Sequence, residues 1–321
     1  MARIVGCDVG GTFTDLISLD EGSGEVRIAK VPTTVDNQAI GVLAAVDSAD
    51  VDPAVIDLIV HGTTTATNAL LERKIARCGL ITTRGFRDVL ELGRRTRPNP
   101  YGMHGQFYPL ITRPYRLEVS ERVDAAGGVV VSLAVDEVRA AARQLLEMGC
   151  ESLVIHFLHA YINPDHERRA RDAVAELWPN RFITLGSDIL ANYREFERGV
   201  AGAVNASIQP IITRYLSRLN DELERRKFQR ELLVMQGNGG TVSSRVVGER
   251  AINTVMSGPA SGVIAAAFTG SNSGYANLIT YDMGGTSSDV GVVQGGIPEV
   301  SSERELEYGM PIQVPMVDVH S

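Results

Sequence analysis

Asp8-Val-Gly-Gly-Thr-Phe-Thr-Asp15 and Asp282-Met-Gly-Gly-Thr-Ser-Ser-Asp289 begin 274 residues apart and agree at five of eight positions. Each follows a short apolar run ending in Asp and leads into another apolar run, the pattern of a strand-turn-strand hairpin. Paired glycines let the backbone turn sharply and bring N–H groups close to an anion, and the hydroxyls of Thr and Ser add uncharged donors. The strand-end Asp repels a phosphate, so its chemistry is to hold Mg²⁺, directly or through water, or to orient an attacking group. A single such turn is most simply an ordinary Gly-Gly reversal. Two of them, each at the end of an apolar strand, suit a clamp that grips a polyphosphate from both sides. The chain has no G-x-x-x-x-G-K-[ST] loop and no G-x-G-x-x-G after its first strand, so hairpins would replace the better-known nucleotide loops.

Outward from the first hairpin, alternation predicts strands over 2–8, 13–19 and 26–31, joined by tight turns at Gly10-Gly11 and Gly22-Ser23-Gly24. Connections this short permit antiparallel pairing only. The pattern then changes to strands alternating with helices: a strand at 57–61, a helix at 64–73, a strand at 78–83 and a helix at 85–92. Residues 136–148 read as an amphipathic helix capped by Asp136 and stopped by Gly149. A buried strand is expected over 150–158, and a helix from Asn163-Pro164 to about Trp178. A long helix is expected over 199–226, a strand at 231–236 and a helix at 258–268. Strands close the chain at 278–282, 290–294 and 313–319. Residues 92–131, rich in Arg, Pro and Gly, carry no clear period. Hairpins followed by βα alternation imply an α/β layered architecture.

The chain has 321 residues, enough for two domains. Its 31 Lys+Arg against 39 Asp+Glu leave a formal charge of −8, which argues against a general nucleic-acid or anionic-membrane binder. No apolar run approaches the ~18 residues of a bilayer span, and the opening segment reads as a strand and not as a secretion signal. Cys7, Cys78 and Cys150 are few and scattered, as expected of reduced thiols in a cytoplasmic protein.

Other candidates are weaker. Thr63, Thr64 and Thr65 crowd a strand-to-helix junction, where free N–H groups favour an anion or a simple cap. Arg94, Arg95, Arg97, Arg113 and Arg116 form a local basic run; one of them, with Arg97 the candidate, would suit a substrate carboxylate, although such runs are usually solvated faces. Arg194, Glu195, Glu197 and Arg198 read as surface ion pairs opening the long helix. Gly258-Pro259-Ala260 reads as a turn before an Ala-rich helix, more hinge than catalyst. The histidines lack the spacing of a structural zinc site.

The paired hairpins resemble the two phosphate loops of the actin, sugar-kinase and Hsp70 superfamily. Over 8–320 the whole chain resembles the N-terminal part of the hydantoinase A and 5-oxoprolinase family. The resemblance runs through His61-Gly-Thr-Thr-Thr-Ala-Thr-Asn68, Ser187 with Tyr193 to Arg198, Gln236-Gly-Asn-Gly-Gly240, Ser257-Gly-Pro-Ala260, the second hairpin and Pro315-Met-Val-Asp-Val-His320. Departures are small: Gln236-Gly237 where a Ser is expected before the Asn, and Ser288 where Thr is usual.

The resemblance implies a ribonuclease H-like α/β fold of mixed sheets and helices. It divides the chain into an N-terminal family domain, 1–185, and the beginning of a second, 186–321. Only 32 residues follow Asp289, fewer than the ~100 a second lobe takes, so the second lobe is expected to be incomplete or supplied by another chain. It implies ATP and Mg²⁺ as cofactors, with Gly10, Gly11, Thr12 and Thr14 in one clamp and Gly284, Gly285, Thr286 and Ser287 in the other. Asp8 and Asp282 are the candidates for Mg²⁺ or water, supported by Asp15 and Asp289. His61, as general base or hydrogen-bond donor, and Thr63, Thr64 and Asn68 line the substrate side. The implied reaction is phosphorylation of the carbonyl oxygen of a hydantoin or 5-oxoproline ring, which is then opened, with a hydantoinase B-type subunit as partner. The rivals are an acetone/acetophenone carboxylase-type subunit and a nucleotide-gated chaperone-like or actin-like binding module.

Overall fold

The computed structural model describes residues 2–34, 38–96, 99, 101–102, 107–283, 288–307 and 309–320. They form two compact units that interleave along the chain. Unit one holds the chain up to Asn68, Ile211–Ser302 and the chain from Pro315; unit two holds Ala69–Pro210 and Glu303–Val314. These units differ from the contiguous segments 1–185 and 186–321, because strands far apart in sequence share one sheet.

Unit one opens with β1 (Arg3–Val9), β2 (Phe13–Asp20) and β3 (Val26–Pro32), paired as antiparallel hairpins. Along β2 the alternation is strict: Thr14, Leu16 and Ser18 are buried while Phe13, Asp15, Ile17 and Leu19 are exposed. The helix α1 (Gln38–Ser48) packs on these three strands and buries Ala39, Val42, Leu43 and Val46. β4 (Leu58–Thr63) lies parallel beside β1 and leads into α2 (Thr65–Leu71).

Unit two follows with β5 (Cys78–Thr83), the single turn α3 (Val89–Leu92), β6 (Arg116–Val119) and the ribbon β7 (Arg122–Val123) with β8 (Val129–Val131). It continues through α4 (Val135–Glu147), β9 (Ser152–His156), α5 (Asp165–Ala175), β10 (Ile183–Leu185) and α6 (Gly186–Ile189). Its sheet, in the order β10-β9-β5-β6, is wholly parallel. Parallel strands are buried on both faces, and Ile81, Leu153, Ile155, Leu145, Val174 and Trp178 accordingly form one core. Gly149, at φ 78°, ends α4 as expected: its N–H bonds Leu146 O and that of Cys150 bonds Leu145 O. Asp136 is not the cap. The helix starts at Val135 with no side-chain cap, and Asp136 sits in its first turn, where the dipole favours it.

The chain returns to unit one along α7 (Glu195–Arg225), which contains Pro210. β11 (Leu232–Met235) pairs parallel with β4, and β12 (Thr241–Ser243) antiparallel with β11. The sheet order is therefore β12-β11-β4-β1-β2-β3. The helix α8 (Ser257–Asn272) touches β4 and β11, and also the sheet built on β13 (Leu278–Met283), β14 (Ser288–Gln294) and β15 (Ile297–Pro298). β16 (Val300–Ser301) follows, then β17 (Arg304–Glu305) and β18 (Pro311–Ile312) of unit two, and the expected strand at 313–319 is reduced to the short β19 (Met316–Val317) and β20 (Val319–His320) after Pro315. Ala260, Val263 and Ala267 of α8 pack on Val293, Val317 and Val319. Among the described residues no single helix is long and apolar enough to cross a membrane.

Candidate functional site: two hairpins flanking a glycine-faced helix

The strand ends of both octapeptides pair antiparallel as their sequences predict, in the same register. Asp8 faces Asp15 across β1 and β2, and Asp282 faces Asp289 across β13 and β14. The tip of the second hairpin, Gly284, Gly285, Thr286 and Ser287, lies outside the described residues, as does Arg97. In the first hairpin Gly11 and Thr12 are exposed at the tip. The Gly10 N–H is already committed to Phe13 O at 3.0 Å, so the tip's outward donors are those of Gly11 and Thr12.

Thr14, expected in the same clamp, is fully buried instead. Its side chain points to the α1 face, its Oγ1 lies 3.1 Å from that of Thr33, and a Cβ on Gly41 would approach it to 2.9 Å. Strand alternation accounts for this correction: Thr14 is one residue out of phase with Phe13 and Asp15. Asp15 is exposed and holds Lys30 Nζ at 2.8 and 3.0 Å, which supports the hairpin but leaves less of its charge for a cation. Lys30 also lies 4.9 Å from the Phe13 ring centroid.

Asp8 stands where β1 and β4 meet. Its carboxylate lies over Gly62, where a Cβ would come within 2.5 Å of Oδ1. Burial raises the Asp8 pKa above the usual carboxylate range, and the charges of Asp15 and then Asp282 push the same way. Asp8 nonetheless meets solvent. The two facts together describe a carboxylate crowded by protein on its inner side and wetted from outside. Asp282, from the second hairpin, is exposed and is near enough for its charge to be felt at Asp8.

Between them runs the start of α8. A Cβ on Gly258 would meet Thr64 Cγ2 at 3.6 Å, and one on Gly262 would meet Asp282 Oδ2 at 3.7 Å. Ser257 Oγ donates to Thr63 O at 3.1 Å and the Met256 N–H to Thr67 Oγ1 at 3.0 Å, which pins this end of the helix to the β4–α2 junction. Gly258-Pro259-Ala260 is thus the first turn of α8, not a turn before it.

Other expectations change. His61 is completely buried beneath the sheet, with Nδ1 3.3 Å from Cys7 O and Nε2 2.6 Å from the Tyr215 hydroxyl. Burial lowers its pKa to about 4. Both ring nitrogens are occupied, so His61 touches no substrate and the catalytic assignment is withdrawn. Thr63 is buried against Thr65. Thr64 donates through Oγ1 to Val9 O at 3.2 Å and accepts from Asn68 Nδ2 at 3.3 Å; both remain partly open to solvent beside the hairpin.

Three arginines of the expected basic patch, Arg94, Arg113 and Arg116, are held in ion pairs. Arg94 makes a bidentate contact with Glu303 at 2.7 Å and reaches Glu197, Arg113 pairs with Asp88, and the fully buried Arg116 pairs with Glu91. Nor are Glu197 and Arg198 surface residues. Both are buried, and Arg198 donates to the carbonyls of Phe157 and Asn192. Cys7, Cys78 and Cys150 are free and buried, and burial pushes the first two up to about 12 and the third to about 11, so none is a nucleophile at neutral pH.

Sequence reading missed Gly62, Gly262 and Tyr215. A glycine inside β4, and two glycines four apart in α8, were available signals of close approach. Tyr215 had none, because it meets His61 only through tertiary packing, 154 residues along the chain.

Two family models match the chain, described as "Hydantoinase/oxoprolinase N-terminal region" over residues 4–178 and "Hydantoinase/oxoprolinase" over residues 198–321. The alpha subunit of caprolactamase from Pseudomonas jessenii is 32% identical, over 99% of this chain and 47% of its own length. A solved structure of that organism's ATP-dependent caprolactamase superposes with a TM-score of 0.86, covering 99% of this chain and 47% of the other. The nucleotide-free structure of acetone carboxylase, an enzyme of ATP-dependent acetone carboxylation, superposes with a TM-score of 0.87 at 29% identity, again over 99% and 47%. The chain spans about half the length of these relatives.

Proposed function

Because this chain belongs to the hydantoinase/oxoprolinase family, we propose that it is the nucleotide-holding part of an ATP-dependent enzyme that opens a cyclic amide of the hydantoin or 5-oxoproline type. The observation that carries this reading is the placement of Asp8 and Asp282, the matching strand ends of two Gly-Gly motifs, so that the charge of Asp282 is felt at Asp8 beside a glycine-faced helix. The order β3-β2-β1-β4-β11, three antiparallel strands continued by two parallel ones, supports a ribonuclease H-like unit of the actin and sugar-kinase type.

The donor set fits Mg²⁺-ATP. Two carboxylates that repel one another are stabilised when a divalent cation sits near both. Among the described residues no group of three or more His, Cys, Asp or Glu could hold a metal unaided. That suits an ion carried chiefly by phosphate and water, with Asp8 and Asp282 as its protein anchors. When bound, Mg²⁺-ATP supplies a phosphoryl group for the carbonyl oxygen of the ring amide. The residues of this chain position it and neutralise its charge. Gly11 and Thr12 offer donors at one hairpin tip, Gly284, Gly285, Thr286 and Ser287 are assigned to the other, and Asp289 supports that turn. Thr64 and Asn68 line the acceptor side. A B-type subunit completes ring opening.

The likeness to acetone carboxylase favours a second reading, activation of a ketone or of bicarbonate in carboxylation. The deciding experiment is Mg²⁺-dependent ATP turnover by the intact protein with its partner, over hydantoin, 5-oxoproline and caprolactam, and over acetone and acetophenone with bicarbonate. Stimulation by lactams alone supports ring opening, and stimulation by ketones alone supports carboxylation. Turnover indifferent to all of them but raised by a peptide or polymer replaces both with a nucleotide-gated binding module.

A further inference from the structure

We propose that the His61–Tyr215 pair is a positioning device for the Asp8 carboxylate, locking from the buried side of the sheet the peptide that aims Asp8 at the open side. The inference rests on the nucleotide reading of Asp8. In the parallel register of β1 and β4, Cys7 lies opposite His61 and Asp8 opposite Gly62. Side chains alternate across a sheet, so His61 goes under where the Asp8 carboxylate lies over Gly62.

The hydrogen bonds have one possible polarity. The Cys7 carbonyl can only accept, so His61 Nδ1 carries the proton and donates to it at 3.3 Å. The neutral ring must then accept at Nε2, and the donor there is the Tyr215 hydroxyl at 2.6 Å. Donors thus run in one direction, from Tyr215 of α7 through His61 of β4 to the carbonyl that immediately precedes Asp8. The imidazole and phenol are both buried. A relay of this kind has no second arrangement, because reversing it would require a carbonyl to donate. It fixes the plane of the Cys7–Asp8 peptide and with it the direction in which Asp8 leaves the strand.

The test combines a spectrum with a titration on the intact protein. Nitrogen-15 NMR of the histidine rings at pH 7 is expected to show His61 neutral and protonated at Nδ1; an Nε2-protonated ring or an imidazolium overturns the proposal even if the variants fail to fold. ATP binding is then followed by calorimetry as Mg²⁺ is varied. Tyr215→Phe and His61→Ala are expected to raise the half-saturating Mg²⁺ about 10-fold, as loss of an outer-shell partner commonly does. His61→Asn, whose amide N–H reaches the place of Nδ1–H, is expected to stay within about 2-fold of the parent, the conservative rescue that an orienting role allows. Partial unfolding would lower the fraction of binding molecules without moving the half-saturating Mg²⁺. Parental Mg²⁺ dependence in Tyr215→Phe and His61→Ala, or equal impairment of His61→Asn and His61→Ala, overturns the proposal alone. Absence of Mg²⁺-ATP binding by the parent overturns the nucleotide reading itself.

Discussion

At Gly62 the lack of a side chain lets the Asp8 carboxylate lie across the neighbouring strand, with Oδ1 only 2.5 Å from the position a Cβ would take. Gly62→Ala is therefore expected to turn the carboxylate aside and reduce Mg²⁺-dependent ATP turnover about 100-fold, a loss typical of misplaced catalytic groups. Asp8→Asn is expected to abolish turnover while leaving the fold intact. It should also stabilise the protein at pH 7. A carboxyl whose folded pKa lies above its unfolded value binds protons more tightly when folded, so its ionisation destabilises the fold as pH rises through that window. The gain from Asp8→Asn should thus be present at pH 7 and vanish near pH 3, measured by thermal unfolding. A lower melting temperature for Asp8→Asn at pH 7 would contradict the crowded, like-charged surroundings assigned to it.

At the scale of elements, α8 links the two hairpins through residues without side chains. Gly262→Leu places a bulky group toward Asp282 Oδ2. Helix propensity favours Leu over Gly by about 0.8 kcal/mol, so the variant is expected to melt no lower than the parent while losing at least about 10-fold in ATP affinity by calorimetry. Gly239, in the loop between β11 and β12, has φ 84°, and a Cβ there would collide with Ile264 Cδ1 on α8. Both strain and overpacking oppose Gly239→Ala, which is expected to destabilise unit one by about 2–3 kcal/mol in chemical denaturation. The contrast separates a glycine kept for the site from one kept for the backbone.

For the whole molecule, the buried titratable groups set the response to acid. Burial lowers His61 to about 4 and takes His156 well below the usual histidine range. Both stay neutral when folded and take up a proton when unfolded, so the unfolded state binds more protons as pH falls from about 6.5. Stability is expected to be complete above pH 7 and to be lost progressively towards pH 4, each histidine contributing up to about 1.4 kcal/mol per pH unit. Glu167, raised above the carboxylate range by burial, works in the opposite direction over its own interval. Urea unfolding between pH 4.5 and 7.5 should therefore show a positive slope that is smaller in His61→Asn; an unchanged slope would refute the buried, uncharged state of His61.

Local chemistry made much of this legible. The hairpins could be read because Gly-Gly turns and two-residue alternation are properties of neighbouring residues, and Asp8 opposite Asp15 follows from the turn length alone. The stop of α4 at Gly149 was legible for the same reason. Glu197 and Arg198 were misread because a charged run carries no mark of burial; their partners at 94, 157 and 192 come from other elements. Thr14 was misassigned where a motif was read as a list of donors, although the alternation that buries it was in plain view.

The amino-acid order by itself determined the strand pairs that flank the two Gly-Gly motifs, the α/β alternation and the family to which the chain belongs, because each is written in short-range spacing or in ordered motifs. Only the tertiary structure decided that β11 joins β4, that His61 is sealed beneath Tyr215, and that Asp8 and Asp282 share one electrostatic neighbourhood. Those depend on which surfaces bury one another across more than a hundred residues, a choice made by the packing energy of the whole chain and not by any single stretch of it.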